Sequence, residues 1–174
     1  MELGPVDRIT ADAVGEPGAR TFFLQARSGP ELVTVIVEKQ QVQLLAASIL
    51  ELLADVPLET GPGPEEAEMA LEEPLEPRWR AGRLSIGYDR ERDRFVLEIT
   101  ELEEREGPQD DPSNAGPEPE TIRLWATREQ MLALSRHGAA VAARGRPTCR
   151  LCGNPIDPEG HACPAMNGHS SPRT

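Results

Sequence analysis

Residues 21–54 read TFFLQARSGPELVTVIVEKQQVQLLAASILELLA, and the change of period inside this stretch decides the fold. Phe22, Leu24 and Ala26 alternate with Phe23, Gln25 and Arg27, which places one apolar row on one face of a strand. A more continuously apolar strand follows over 32–38. From Val42 the apolar positions step to Leu45, Ile49 and Leu52, a helical spacing that runs through Ala54. With a further strand upstream at 8–12, the unit is βββα.

The same order returns downstream. Residues 83–88 and 94–100 form a hairpin around Asp89-Arg90-Glu91-Arg92, and Phe95, Leu97 and Ile99 repeat the alternation of Phe22, Leu24 and Ala26. A third strand at 121–126 leads into a helix whose start is marked by Thr127, with Gln130 three residues later as in a capping box. Met131, Leu134, Gly138 and Val141 match Val42, Leu45, Ile49 and Leu52 at a constant shift of 89 positions. These matches predict an α+β fold built from duplicated βββα units, halves 5–55 and 79–146, forming an antiparallel sheet with two helices on one face. A curled sheet with a pseudo-two-fold axis fits such a repeat.

Two acidic, proline-rich segments interrupt the pattern. The linker 56–78 carries Glu59, Glu65, Glu66, Glu68, Glu72, Glu73 and Glu76 among five prolines, and an insertion at 103–119 repeats the composition around Asp110-Asp111-Pro112. Low hydrophobicity, like-charge repulsion and proline make both solvated, mobile segments in the ordinary reading. The functional alternative is that they guard or mimic an anionic ligand.

Charge follows the same division. Residues 1–119 hold 26 acidic and 11 basic side chains, net −15, whereas the remainder holds 4 acidic and 7 basic, net +3. An acidic body repels phosphate backbones, so nucleic acid is an unfavourable partner, leaving only a weak, salt-sensitive contact through Arg144, Arg146 and Arg150. No apolar run has the length that spans a bilayer, and the first residues lack a basic lead and an apolar signal core. The expectation is a soluble, cytoplasmic protein without membrane insertion.

All three cysteines lie close together behind the second helix, which Gly145 and Pro147 stop. Cys149-Arg150-Leu151-Cys152-Gly153 aims two sulfurs at one point, and Cys163 supplies a third ligand. His161 and His169 compete for the fourth place. His161 stands two residues before Cys163 in an extended segment, where side chains repeat every second position, and this favours it. The spacing Cys-x2-Cys-x8-His-x-Cys therefore predicts a zinc-knuckle-like tail at 148–174 behind a core at 1–147. Closed four-ligand zinc would use the metal to fold a segment too short for its own core. A redox dithiol is the rival reading, but the strand-to-helix setting of such chemistry is missing.

Catalytic signals are absent. His137, within the second helix, is the one histidine outside the tail, and it reads as a surface or partly packed residue or as a lone general base without nameable partners. No Ser/His/Asp or Cys/His constellation can be assembled, and no Walker or dinucleotide glycine loop is present. Trp79 and Trp125 read as packed against the sheet, with a recognition surface as the alternative.

Taken together, the two halves, the strand Arg83-Leu84-Ser85-Ile86-Gly87-Tyr88-Asp89 and the tail with Gly160-His161-Ala162-Cys163-Pro164 resemble an actinobacterial family of unknown function whose members are sometimes labelled repeat proteins. Relatives commonly carry proline after the first tail cysteine, where Arg150 stands here. The resemblance implies a neighbourhood with a phosphatidylinositol-kinase-like protein and a histidine-phosphatase-like protein. That neighbourhood implies cooperation with a phosphate-handling enzyme, while the strong structural signals and the absence of catalytic ones point to a non-catalytic, zinc-containing binding or adaptor protein with a protein partner. An enzyme acting on a phosphorylated or nucleotide-like small molecule, in a cleft between the halves, is the alternative.

Overall fold

A computed structural model describes residues 1–104, 116–145, 147–157 and 159–166. The first half comprises β2 (Arg8–Val14), β3 (Thr21–Ser28), β4 (Glu31–Val37) and α1 (Lys39–Asp55), preceded by a two-residue strand, β1 (Glu2–Leu3). The second comprises β5 (Ala81–Asp89), β6 (Arg94–Glu101), β7 (Thr121–Ala126) and α2 (Arg128–Ala143). The local signals work as expected. Thr127 Oγ1 accepts from Gln130 N at 3.1 Å while Thr127 N donates to Gln130 Oε1 at 2.9 Å. At the start of α1, Glu38 N donates to Gln41 Oε1 at 2.7 Å. The β5–β6 turn is closed by Asp89 Oδ1, which accepts from Glu91 N and Arg92 N, and Asp93 takes the left-handed φ of 47° that a short polar side chain tolerates.

Strand register carries the repeat further than periodicity does. Phe22↔Val37, Leu24↔Val35 and Ala26↔Val33 in the first half are answered by Phe95↔Ala126, Leu97↔Leu124 and Ile99↔Ile122 in the second. The first strands obey the same rule, with Ile9↔Ala26 and Ala11↔Leu24 answered by Leu84↔Ile99 and Ile86↔Leu97. Each helix packs on the first strand of the opposite half, α2 on β2 and α1 on β5, and the helices pack on each other. Ser135 Oγ donates to Ala46 O at 2.9 Å, which joins two positions that are counterparts in the repeat. Contacts between equivalents arise where a pseudo-two-fold axis crosses a helix pair.

The expectation of one antiparallel sheet requires correction. There are two sheets, β1-β7-β6-β5 and β2-β3-β4, and β1 runs parallel to β7. They meet at two corners. At one, Arg78 N donates to Thr34 O and Ile36 N to Trp79 O, both at 2.9 Å, so the lead into β5 begins along β4. At the other, Val6 N donates to Trp125 O and Asp7 N to Arg27 O, both at 2.8 Å, so the lead into β2 begins along β7. Backbone crowding explains the glycines there. A Cβ on Gly4, whose φ is +142°, would lie 2.7 Å from Trp125 Cβ, and one on Gly82 would lie 2.8 Å from Leu102 Cα.

The apolar rows of both sheets and the inner faces of both helices form one core. Val42, Leu45 and Ile49 meet it from α1, and Met131, Leu134 and Val141 from α2. Burying each aliphatic side chain of this kind contributes about 1.5–3 kcal/mol.

The acidic linker departs from expectation. Instead of running free, residues 59–72 lie along the protein. Arg128 NH1 donates to Glu59 O at 2.7 Å and Thr60 Oγ1 at 3.1 Å, and a Cβ on Gly63 would stand 2.3 Å from Glu129 O. A 3-10 turn, Glu66–Met69, then delivers Met69 into the core at 1% exposure. Composition argued for mobility because each glutamate costs free energy in isolation. Here one apolar anchor and several long-range polar partners offset the ordering entropy. Of the insertion at 103–119, residues 105–115 lie outside the described residues.

Candidate metal centre

Beyond α2, the chain folds back twice. Thr148 bridges Pro155 and Asp157 bridges Gly160, both antiparallel, and Ile156 N donates to Pro147 O at 2.7 Å. Between these arms, Gly153 N donates to Cys149 O at 2.9 Å and Cys149 N to Asn154 O at 2.8 Å. Gly153 has φ of +75° and Gly160 of +95°, left-handed values that turn the chain at each end of the loop.

The turns bring together Cys149, Cys152, His161 and Cys163, whose donor atoms all lie within 4.8 Å of one another. Cys149 and Cys163 are buried, whereas Cys152 and His161 are half-buried. Cys149 Sγ and Cys163 Sγ stand 3.8 Å apart, far beyond the bond of about 2.05 Å in a disulfide. A tetrahedral ion with sulfur bonds of about 2.3 Å requires a sulfur separation of about 3.8 Å along the tetrahedral edge. Cys152 Sγ lies 3.3 Å from His161 Nε2, near the corresponding sulfur-to-nitrogen edge. The backbone N–H groups of Cys152 and Leu151 lower the Cys149 thiol to about 6, whereas burial raises that of Cys163. Three thiol donors and an imidazole at these separations could hold a metal ion. His161 Nδ1 is buried without a hydrogen-bond partner, so the ring's other nitrogen is the one turned to the sulfurs. His169, the competitor for the fourth place, lies outside the described residues.

His137, read from the sequence as a surface or partly packed residue or a lone general base without nameable partners, is more enclosed than a surface position. It is buried, with Nδ1 2.6 Å from Glu66 Oε1 and Nε2 3.0 Å from Asp12 Oδ2. Helical periodicity places His137 beside Gly138 on the inner side, but its partners lie 71 and 125 positions away, which no local pattern reveals. Next to it runs a groove of about 380 Å³ lined in part by Pro62, Pro64, Glu66, Met69, Ala133 and Arg136. Both tryptophans are half-buried with polar tips engaged, Trp79 Nε1 donating to Glu120 and Trp125 Nε1 to Glu2.

A second polar cluster joins α2 to the β5–β6 turn. Arg128 donates to both oxygens of Asp93, at 2.8 Å and 3.3 Å, and Tyr88 donates its hydroxyl proton to the same carboxylate. The Arg128 hydrogen bond, assisted by that of Tyr88, holds Asp93 below the usual carboxylate value, and the bond to Asp93 raises Tyr88. A depressed carboxylate contributes stability that is present above its unfolded pKa of about 3.9 and disappears as pH falls through the lower folded value. Asp93 is 41% exposed, so solvent screening keeps this contribution modest. Asp93→Asn should therefore unfold at lower urea than the unaltered protein at about pH 7, and the gap should be narrower at about pH 3, below the unfolded value. An equal gap at both values would exclude this source of stability.

An α+β fold of two βββα halves, closed by a Cys/His cluster able to bind metal, is the class of protein these features define. The chain belongs to the family described as protein of unknown function (DUF3090), whose model matches residues 1–163, a span that includes the whole cluster. No curated protein and no solved structure matches it. Among the described residues, no helix is long and apolar enough to cross a membrane.

Proposed function

We propose that this protein is a non-catalytic, zinc-containing binding or adaptor module of the cytoplasm, with a rigid two-sheet core and a zinc-folded tail that contacts a protein partner. The observation that carries the reading is the closed donor set. Cys149, Cys152, His161 and Cys163 supply four ligand atoms within 4.8 Å, and a tetrahedral ion held by all four has no open position for substrate. Thiolate-rich sets favour zinc over magnesium or calcium, which prefer oxygen. Between the first two ligands, Arg150 and Leu151 point outward, and Leu151 is 63% exposed. An aliphatic side chain held out on a metal-fixed turn suits a protein contact better than a reaction.

The partner is the phosphatidylinositol-kinase-like or histidine-phosphatase-like protein implied by the family resemblance. Recovery of each from a pull-down with intact protein should exceed recovery with the Cys149→Ser/Cys152→Ser variant. Equal recovery from both would remove the tail from the reading.

The groove beside His137 favours one second reading, an enzyme acting on a phosphorylated or nucleotide-like small molecule. Arg136 would meet the phosphate there, and His137 is fixed by two carboxylates. Turnover of a phosphoester in a library screen, lost in His137→Gln, would support it, and turnover unchanged by that substitution would exclude the groove.

A further inference from the structure

We propose that the outer face of β2-β3-β4 is a peptide-docking surface which the chain's own residues 69–72 occupy. It would accept an extended acidic segment of another protein, with an apolar side chain three residues before a glutamate. This deepens the reading of the protein as a binding module by adding a second surface, remote in sequence from the tail.

The occupying segment is held as a ligand would be. Met69 is its apolar anchor, and Thr10 Oγ1 donates to Met69 O at 2.5 Å. The Gln25 side-chain amide reads the backbone of Glu72 in both directions, donating to its carbonyl at 3.0 Å and accepting from its N–H at 2.7 Å. Gln25 is fixed in that orientation by donating to Thr34 Oγ1 at 3.0 Å. The Glu72 carboxylate lies between two guanidinium groups, 2.7 Å from Arg27 Nε and 3.2 Å from Arg8 NH1. Arg8 NH2 also donates to Ala70 O. The segment's backbone is thus read by side chains on the sheet face, and its carboxylate by a pair of guanidinium groups.

Two further features suit a surface that can be vacated. Beyond the apolar seat of Met69, its floor is polar: Thr10 and Gln25 are buried and bonded to the segment, Thr34 is buried and bonded to Gln25, and water can satisfy Thr10 and Gln25 when the segment lifts. Arg8 Nε is buried and makes no hydrogen bond, so the resident glutamate leaves one cationic donor unused. Lifting the segment also carries the Glu72 carboxylate away from Arg8 and Arg27. The face then presents two arginines on an otherwise acidic protein, which is the charge complement of an incoming acidic segment.

The test uses full-length protein and a fluorescein-labelled peptide copying residues 65–77, followed by anisotropy. Glu72→Gln weakens the internal segment and raises the fraction of open molecules, so the apparent Kd of the peptide should fall about tenfold. Adding Arg27→Ala should abolish the gain. Met69→Ser loosens the other anchor with both arginines intact and should reproduce the gain. Unchanged or undetectable binding in both loosened variants, each unfolding cooperatively by circular dichroism, would overturn the proposal.

Should either variant lose cooperative unfolding, hydrogen exchange in the unaltered protein decides the matter. A Glu72 amide that exchanges through a smaller opening than the β3 amides supports docking. One that exchanges only with global unfolding overturns it. All variants retain Cys149, Cys152, His161 and Cys163, so failure here leaves the metal-centred reading intact, and a failed tail pull-down leaves this one intact.

Discussion

Treatment with a strong chelator at neutral pH, which would strip the proposed zinc from the Cys/His cluster, is expected to unfold the segment around residues 149–163 while the two-sheet core still unfolds cooperatively. Among the described residues of this segment the buried ones are the two sulfur ligands Cys149 and Cys163, so its interior is the coordination site itself. The backbone bridges at Thr148–Pro155 and Asp157–Gly160 are isolated pairs, too few to offset the ordering entropy of the loop they close. Structural zinc in short segments of this kind supplies apparent binding energies of about 10–16 kcal/mol at neutral pH, which is folding energy. Elemental analysis should give one zinc per chain before chelation and none afterwards. Segment-resolved hydrogen exchange should show loss of protection at Cys149 and Gly153 with little change in β3 and β6. Cys152→Ser should reproduce the chelated state, whereas a tail equally protected with and without the ion would exclude a structural metal.

Ile49→Ala should cost about 2–5 kcal/mol, the range for truncating a fully buried aliphatic side chain. Ile49 is 0% exposed on the inner face of α1, where the helix pair closes over both sheets. The opposite face provides the control: Leu44, on the same helix, is 68% exposed, and Leu44→Ala should change stability by no more than about 0.5 kcal/mol. Urea denaturation of the two variants measures the difference directly. The counterpart of Ile49 in the second half is Gly138, where an added Cβ would stand 3.1 Å from Val42 Cγ1. The repeated plan thus carries a branched side chain at one of these positions and leaves only tight space at the other. Equal unfolding midpoints for the two variants would contradict the packing of α1 described above.

Much of the architecture is legible in the sequence because it is local. Alternation in Phe22, Leu24 and Ala26 and in Phe95, Leu97 and Ile99 sets the inner faces, and the Thr127–Gln130 pair fixes the start of α2. The cysteine and histidine cluster is legible for the same reason: its four donors fall within fifteen residues, and a turn plus an extended arm is enough to gather them. What was missed is non-local. Two residues, Glu2 and Leu3, make the parallel edge with β7, and no period can be read from so short a strand. The corners depend on close backbone approach at Gly4 and Gly82, which becomes visible only when Trp125 and Leu102 are in place. His137 has no local partner, and Glu72 looks like one more solvated acid until Arg8 and Arg27 stand beside it. Composition describes a segment on its own, whereas docking depends on complementarity with residues far along the chain.

The crossed leads at the two corners bear on how such a molecule can be divided. Residues 4–7 pass from the edge of one sheet to the other, and residues 78–80 make the reciprocal passage. A cut at the midpoint of the repeat would therefore leave each fragment with an unpaired strand edge whose complement belongs to its sibling. The two parts are interlocked like clasped hands, duplicated in plan yet inseparable as autonomous pieces.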